Sequence, residues 1–348
     1  MRIAHLILTR RFAGSERHAI ELANAQAAEH EVWLILRRAA ASARADALAG
    51  RVDPRVRLLL MPDWLPSWHA ARALRRIRPD VAHAHLSGAC RALRGLKGLC
   101  LRVATLHIRY KPRQHAGLDA LVAIAPWQLA DIPPALRAHT AQIDNWVLPH
   151  PAAPDARERL RGEHAIPPQA WVFGAVGRAE HSKGFDLLID AFNAAGIADA
   201  WLVIVGHGPA WDGLRRKAGP RVLLPGFMRA PEDWMAAFDG FVSAARAEPF
   251  GLVLLEAMQS GLPIIATRTQ GALHLTASMN PALAPVGDVA ALARALADMA
   301  LTRPARRRYP MERFDIAGKL AQLDTFYRRE LAFRSSPDGP QTLDNTQP

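Results

Sequence analysis

An α/β protein of two doubly wound halves is the expectation from this sequence, on three observations. Short aliphatic runs alternate with helix-length segments almost from end to end, the pattern of parallel strands joined by crossover helices. The alternation breaks once, in a proline- and charge-rich stretch from 149 to 169, and then resumes. At 348 residues, 50% of them hydrophobic, the chain can fill two cores of ordinary size.

The first strand is expected at 2–8, where MRIAHLILTRR sets one apolar run between charges and offers no small-residue cleavage site of a signal peptide. Further first-half strands follow at 31–36, 56–60, 81–85, 102–107, 120–124 and 143–148, each a β-branched or aliphatic run. The stretch 149–169 reads as a linker or first crossing helix. Beyond it, strands are expected at 171–178, 200–206, 221–226, 240–244 and 262–267. Rossmann-like domains of this kind, residues 1–150 and 151–310, should meet at a cleft and bind ligands beyond the carboxyl ends of their strands. Past Pro310, apolar residues near helical spacing predict a terminal helix over 311–333 that closes the fold, a return onto the N-terminal domain being one course for it. The polar, proline-containing end, 334–348, reads as a mobile tail.

Composition excludes several classes. The longest purely apolar runs, such as 201–205, fall far short of the roughly 20 residues that span a bilayer. Cys90 and Cys100 are the only cysteines, too few for a disulfide framework and at no metal-ligand spacing, which fits a reducing cytosol. Charge is uneven: residues 1–150 carry 22 Lys+Arg against 11 Asp+Glu, whereas residues 151–348 carry 22 against 21. The basic half points to an acidic partner, whether anionic membrane surface, phosphorylated glycolipid or nucleic acid. In CRALRGLKGLCLR, Arg91, Arg94 and Lys97 recur every third residue, so a helix there would be basic and amphipathic, as would a merely solvated surface helix.

The second half carries the most chemistry. VGRAEHSKGFDLLIDAF places Arg178 and Lys183 on one loop ahead of a helix beginning near Phe185, with Gly177 and Gly184 letting backbone amides approach. Two cations at a helix N-terminus can cradle a diphosphate. The next strand ends in VGHGP, where Gly206 marks a tight turn. In AEPFGLVLLEAM, a helix starting near Phe250 would put Glu248 just before its N-terminus and Glu256 about two turns in. Eight residues at a helical rise span roughly 12 Å. That is about twice the roughly 5–5.5 Å of a retaining glycosidase's carboxylate pair, so the two acids suit opposite ends of one elongated ligand better than one glycosidic bond.

These blocks together resemble the large family 4 of retaining glycosyltransferases, which have the GT-B fold: two Rossmann-like domains with parallel sheets facing across a cleft. EPFGLVLLE looks like that family's E-x7-E motif, VGRAEHSKGFDLLIDAF its Gly-Arg…Lys-Gly segment, and VIVGHGP its Gly-x-Gly-Pro turn. In the first half, FAGSERHAIELA resembles the family's glycine loop and helix, DVAHAHL its Asp-x-x-His-x-His strand end, and TLHIRY its Thr-x-His strand end. The resemblance runs in family order from about 1 to 276. It implies that Arg178 and Lys183 bind the donor diphosphate, Glu256 the ribose and Glu248 the transferred sugar. Backbone amides about Phe250, Gly251 and Leu252 would hold that sugar, Gly14 and Gly206 would let their loops approach the donor, and His107 would lie by the sugar and acceptor. Departures from the pattern include Ala13-Gly14 in place of a Gly-Gly pair, and TQGALHLT, where Gly271 stands alone and His274 replaces a frequent acid.

The activity implied is retaining transfer of a sugar from a nucleoside diphosphate sugar to an anionic glycan or glycolipid, in bacterial envelope synthesis of the lipopolysaccharide type. No Asp-x-Asp occurs in the sequence, so no metal or other cofactor is expected; Arg178, Lys183 and helix amides would offset charge on the leaving diphosphate. A cytoplasmic protein follows, with peripheral contact at the anionic cytoplasmic face of the inner membrane. A nucleotide-sugar epimerase or hydrolase of the same architecture is the alternative. A nucleic-acid-binding role fits poorly, because no aromatic platform is interleaved with the basic clusters.

Overall fold

The structure, a computed structural model, describes residues 1–10, 14–42, 47–277 and 282–336. Two compact units make up the chain, Met1–Asn145 with the helix Ile316–Ser335, and Trp146–Asp315. The expected tail lies, from 337 onward, outside the described residues.

In the first unit β1 (Arg2–Ile7), β2 (Glu31–Arg37), β3 (Arg57–Met61), β4 (Val81–His85), β5 (Leu101–Leu106), β6 (Ala120–Ala123) and β7 (Thr140–Gln142) form one parallel sheet in the order β3-β2-β1-β4-β5-β6-β7. In the second, β8 (Trp171–Val176), β9 (Ala200–Val205), β10 (Val222–Gly226), β11 (Gly240–Ser243), β12 (Ile264–Thr267) and β13 (Ala282–Ala284) give the order β10-β9-β8-β11-β12-β13. Both are doubly wound sheets whose order reverses once, between β1 and β4 and between β8 and β11. Ligand crevices form beyond the strand ends at such reversals. The strands read as near-continuous apolar runs because helices cover both faces.

Two expectations need correction, and one strand was not foreseen. The seventh strand is Thr140–Gln142, not 143–148: Ile143 makes one more bond, to the Ala123 carbonyl, after which β6 has no further residues to pair. Ile143, Trp146 and Val147 are buried all the same, so their apolar run marks burial without a ladder. The basic helix over 91–97 ends early, at Leu93, because Gly95 has a non-helical backbone and Gly98 a φ of +82°; Lys97 falls outside it. Strand β13, three residues long, gave too short a signal to be read.

The terminal helix lies on the first unit. Phe326 and Tyr327 are buried there, and Glu330 pairs with His139 at 2.7 Å. The helix Ala156–Glu163 is tied to the second unit by charge. Buried Arg161 donates to the Ala237 carbonyl and pairs with Asp239 at 2.7 Å, and Asp239 also accepts from the Val172 amide at the start of β8. Removing one partner of a buried pair strands the other charge, so Asp239→Ala is expected to cost about 3–5 kcal/mol. Urea titration followed by tryptophan fluorescence checks this, and a loss below about 1 kcal/mol would refute the buried-pair account.

Candidate active site

At the β8/β11 reversal, two loops are laced together. The loop after β8 runs through Arg178 to a single 3-10 turn, His181–Lys183, and then to Gly184, whose φ of +64° lets the chain enter the helix Phe185–Ala195. The loop after β11 lies against it: the Arg246 amide donates to the Ser182 carbonyl at 2.8 Å, and the Arg246 guanidinium forks onto Asp186 at 2.7 and 2.6 Å. That forked pair holds the Asp186 carboxyl below the usual carboxylate range. The backbones nearly touch, since a Cβ on Gly184 would lie 2.0 Å from the Ala244 carbonyl oxygen.

This lacing brings Lys183 Nζ to 2.5 Å from Glu248 Oε2, with both side chains mostly buried. Arg178 is freer, half exposed and only 3.7 Å from Glu180. Phe250 is buried and Gly251 takes a φ of +97°, which no helical residue can adopt. The helix therefore runs Leu252–Gln259 instead of starting at Phe250, and Glu256 stands about one turn in rather than two. Leu252 is its first residue, so the amides that follow Gly251 are those a helix N-terminus leaves unpaired.

Neighbouring glycines serve packing. A Cβ on Gly206 would lie 1.8 Å from the Gly177 carbonyl, and one on Gly208 would lie 2.5 Å from that of Ala179. Gly271 is a position whose role the sequence left open: its amide donates to the Glu248 carbonyl at 2.8 Å, and a Cβ there would meet the Phe250 carbonyl at 2.3 Å. The Gly-x-Gly spacing and the lone glycine of TQGALHLT were the available signals, but the contacts they serve are backbone to backbone across loops. Gly184→Ala is expected to shift Lys183 away from Glu248, because strain at positive φ and the clash with Ala244 act together. A crystal structure of the variant checks it; an unchanged Lys183–Glu248 distance would contradict the steric account.

In the first unit, Gly14 opens the helix Gly14–Gln26, while residues 11–13 of the loop before it lie outside the described residues. His107 stands just past β5 within a cluster of histidines. Its Nε2 is 3.1 Å from His85 Nδ1, His85 Nε2 is 3.2 Å from His5 Nδ1, and His5 Nε2 is 2.7 Å from Gln26 Oε1. His83 is held separately, by the Tyr327 hydroxyl at 2.5 Å and Thr105 Oγ1 at 2.8 Å. His18 packs edge-on to His107, with ring centroids 5.2 Å apart. Burial pushes His5 down to about 4 and His107 to about 3, and with mutual repulsion it holds His18, His83 and His85 well below the usual histidine value. Ring nitrogens of His5, His83 and His85 lie within 4.8 Å of one another, close enough to hold a metal ion. Yet both His83 nitrogens already have oxygen partners, so a metal would have to displace Tyr327 or Thr105.

Two family models match this chain, one described as glycosyltransferase family 4 over residues 12–138 and one as glycosyl transferases group 1 over residues 170–301. The chain belongs to family 4 of the glycosyltransferases. The lipopolysaccharide core biosynthesis glycosyltransferase LpsD of Rhizobium meliloti is 28% identical over 297 residues, spanning 81% of this chain and 83% of that protein. The lipopolysaccharide core biosynthesis mannosyltransferase LpsB of the same organism is 30% identical over 58% of each chain. Among solved structures, Anabaena HepE in complex with UDP-glucose superposes with a TM-score of 0.79 at 19% identity, covering 94% of this chain and 100% of that one. The fold is thus GT-B. In this glycosyltransferase the group 1 match contains Arg178, Lys183, Gly206, Glu248, Phe250, Gly251, Leu252 and Glu256, and the family 4 match contains Gly14 and His107.

Proposed function

We propose that this glycosyltransferase transfers a sugar with retention from a nucleoside diphosphate sugar to an anionic glycan or glycolipid acceptor, in lipopolysaccharide-type envelope synthesis. The Lys183–Glu248 pair at the β8/β11 reversal carries the reading. A cation and a carboxylate held together on laced loops offer one group to a diphosphate and the other to sugar hydroxyls. Arg178 joins Lys183 on the diphosphate, Glu256 takes the ribose, and the amides from Phe250 to Leu252 face the transferred sugar. As the glycosidic bond breaks, charge builds on the leaving diphosphate, and fixed cations and helix amides stabilise it without reorganising. The reaction then needs no metal. Front-face attack assisted by the leaving phosphate asks for no second carboxylate at the reacting bond. Two lines of relationship favour the substrates: relatives named for lipopolysaccharide core biosynthesis, and a structure of the same fold that holds UDP-glucose.

The acceptor's charge follows from the first unit. Arg91 and Arg94 meet Arg113, Ser87 and Gln114 around a cavity of about 520 Å³. Among the described residues none of these three arginines forms an ion pair with a carboxylate. Three arginines lining one cavity, of which Arg94 also donates to the Arg113 carbonyl, suit a phosphate or carboxylate on the acceptor. Among the described residues no helix is long and apolar enough to cross a membrane, so contact with a bilayer would be peripheral and weakened by salt.

Thermal shifts with UDP-, GDP- and ADP-sugars test the donor. Ligand at 100 times its Kd adds about 2.7 kcal/mol of apparent stability, so one nucleotide class should raise the Tm by several degrees. NMR of the product then reads its anomeric configuration. An inverted product, or turnover that changes the donor alone and ignores every anionic acceptor, would overturn the reading.

A further inference from the structure

We infer that Gln26 is a positioning residue: acting through His5 and His85, it fixes which nitrogen of His107 carries the proton. The inference rests on the proposed placement of His107 beside the sugars for its consequence, but not for its geometry.

The polarity follows link by link. An amide oxygen only accepts, so Gln26 Oε1, 2.7 Å from His5 Nε2, requires the proton on that nitrogen. A neutral imidazole has one N–H, which leaves His5 Nδ1 a lone pair. His85 Nε2, at 3.2 Å, must therefore donate, and its Nδ1 must accept from His107 Nε2 at 3.1 Å. His107 Nδ1 is left with a lone pair, able to accept from a sugar hydroxyl. Each link holds only while the rings are neutral, and burial with crowding disfavours every imidazolium in the set.

Sheet order makes the line possible. His5 lies on β1 and pairs in register with His83 on β4, while His85 pairs with Thr105 on β5. Gln26 ends the helix that follows β1. Reversing the amide of Gln26 would reverse every donor in the line. The relay thus has two states, and the arrangement seen, with Oε1 toward His5, selects the one with His107 Nδ1 open. The His83 branch is independent of this choice at its Thr105 end, where a hydroxyl can donate or accept.

The test is nitrogen NMR of the full chain labelled with 15N-histidine. Wild type should show His107 as a neutral ring with Nε2 protonated and Nδ1 bare. Gln26→Leu should collapse this to mixed tautomers, whereas Gln26→Glu, whose carboxylate also accepts, should restore it. In transfer assays Gln26→Leu should lower kcat/KM roughly 10- to 100-fold, the cost of leaving one buried hydrogen-bonding group unpaired. A wild-type His107 protonated on Nδ1, or a Gln26→Leu spectrum identical to wild type, overturns the proposal. So does one equivalent of zinc in the purified protein that shifts the His5 and His85 resonances. If Gln26→Leu does not fold, the wild-type spectrum and Gln26→Glu still decide. Correct tautomers with no activity change would refute the placement of His107 by the sugars and leave the relay standing.

Discussion

Lys183→Ala is expected to lower kcat by about 10²–10³-fold, the usual effect of deleting one fixed group that stabilises transition-state charge. The near-buried contact of Lys183 with Glu248 makes the two a unit, and groups that act as a unit do not contribute additively. Lys183→Ala/Glu248→Gln should therefore be little worse than the more damaging single variant. Arg178→Ala should do less harm than Lys183→Ala, because Arg178 is half exposed and its charge is screened by solvent. Steady-state transfer assays with circular dichroism as the folding control measure all four variants. If Lys183→Ala retained turnover within a few-fold of wild type, the cation at β8 would have no part in charge stabilisation.

The second large effect is acid lability of the first unit. Every histidine buried among the described residues lies there: His5, His18, His83, His85 and His115. Burial also pushes His107 to about 3 and His115 to about 4, the latter with the Lys111 charge beside it. A histidine with a depressed folded value binds its proton only in the unfolded chain between that value and about 6.5, so stability falls with pH through this window. Each contributes a loss of about 1.4 kcal/mol per pH unit. Six such groups would together remove up to about 8 kcal/mol between pH 7.5 and 5.5, comparable with the whole stability of a domain. Thermal melts across that range should show one transition dropping steeply and another, from the second unit, moving less. Two transitions that stay flat down to pH 5 would mean that the rings are charged in the fold or solvated.

Much of this was legible from residues alone, for identifiable reasons. Parallel strands covered on both faces give unbroken aliphatic runs, so eleven of the thirteen observed strands sit on an expected run. The loops after β8 and β11 were legible because glycines, cations and acids there recur in a known order, but their lacing and the positive φ of Gly251 were not. The misreadings have separate causes. The runs 143–148 and 91–97 have apolar or helical period, but β6 is too short to continue pairing and the backbone departs from helical angles at Gly95, within the 3-10 turn Arg94–Leu96. A local pattern cannot report on the partner it lacks.

What the sequence determined by itself was the two-unit alternation, the β8 and β11 loops with their charges, and the proposal of Arg178, Lys183, Glu248 and Glu256 as donor contacts. Period two even put His83 and His85 on one face of a strand. Only the tertiary structure joined them to His5, Gln26, Tyr327 and Thr105, brought Arg113 to Arg91 and Arg94, and gave Gly206 and Gly271 their backbone neighbours. The physical reason is range. Strand and helix periods are set by neighbours a few residues apart, whereas hydrogen bonds between buried rings depend on sheet order and register, which connect residues up to 244 positions apart.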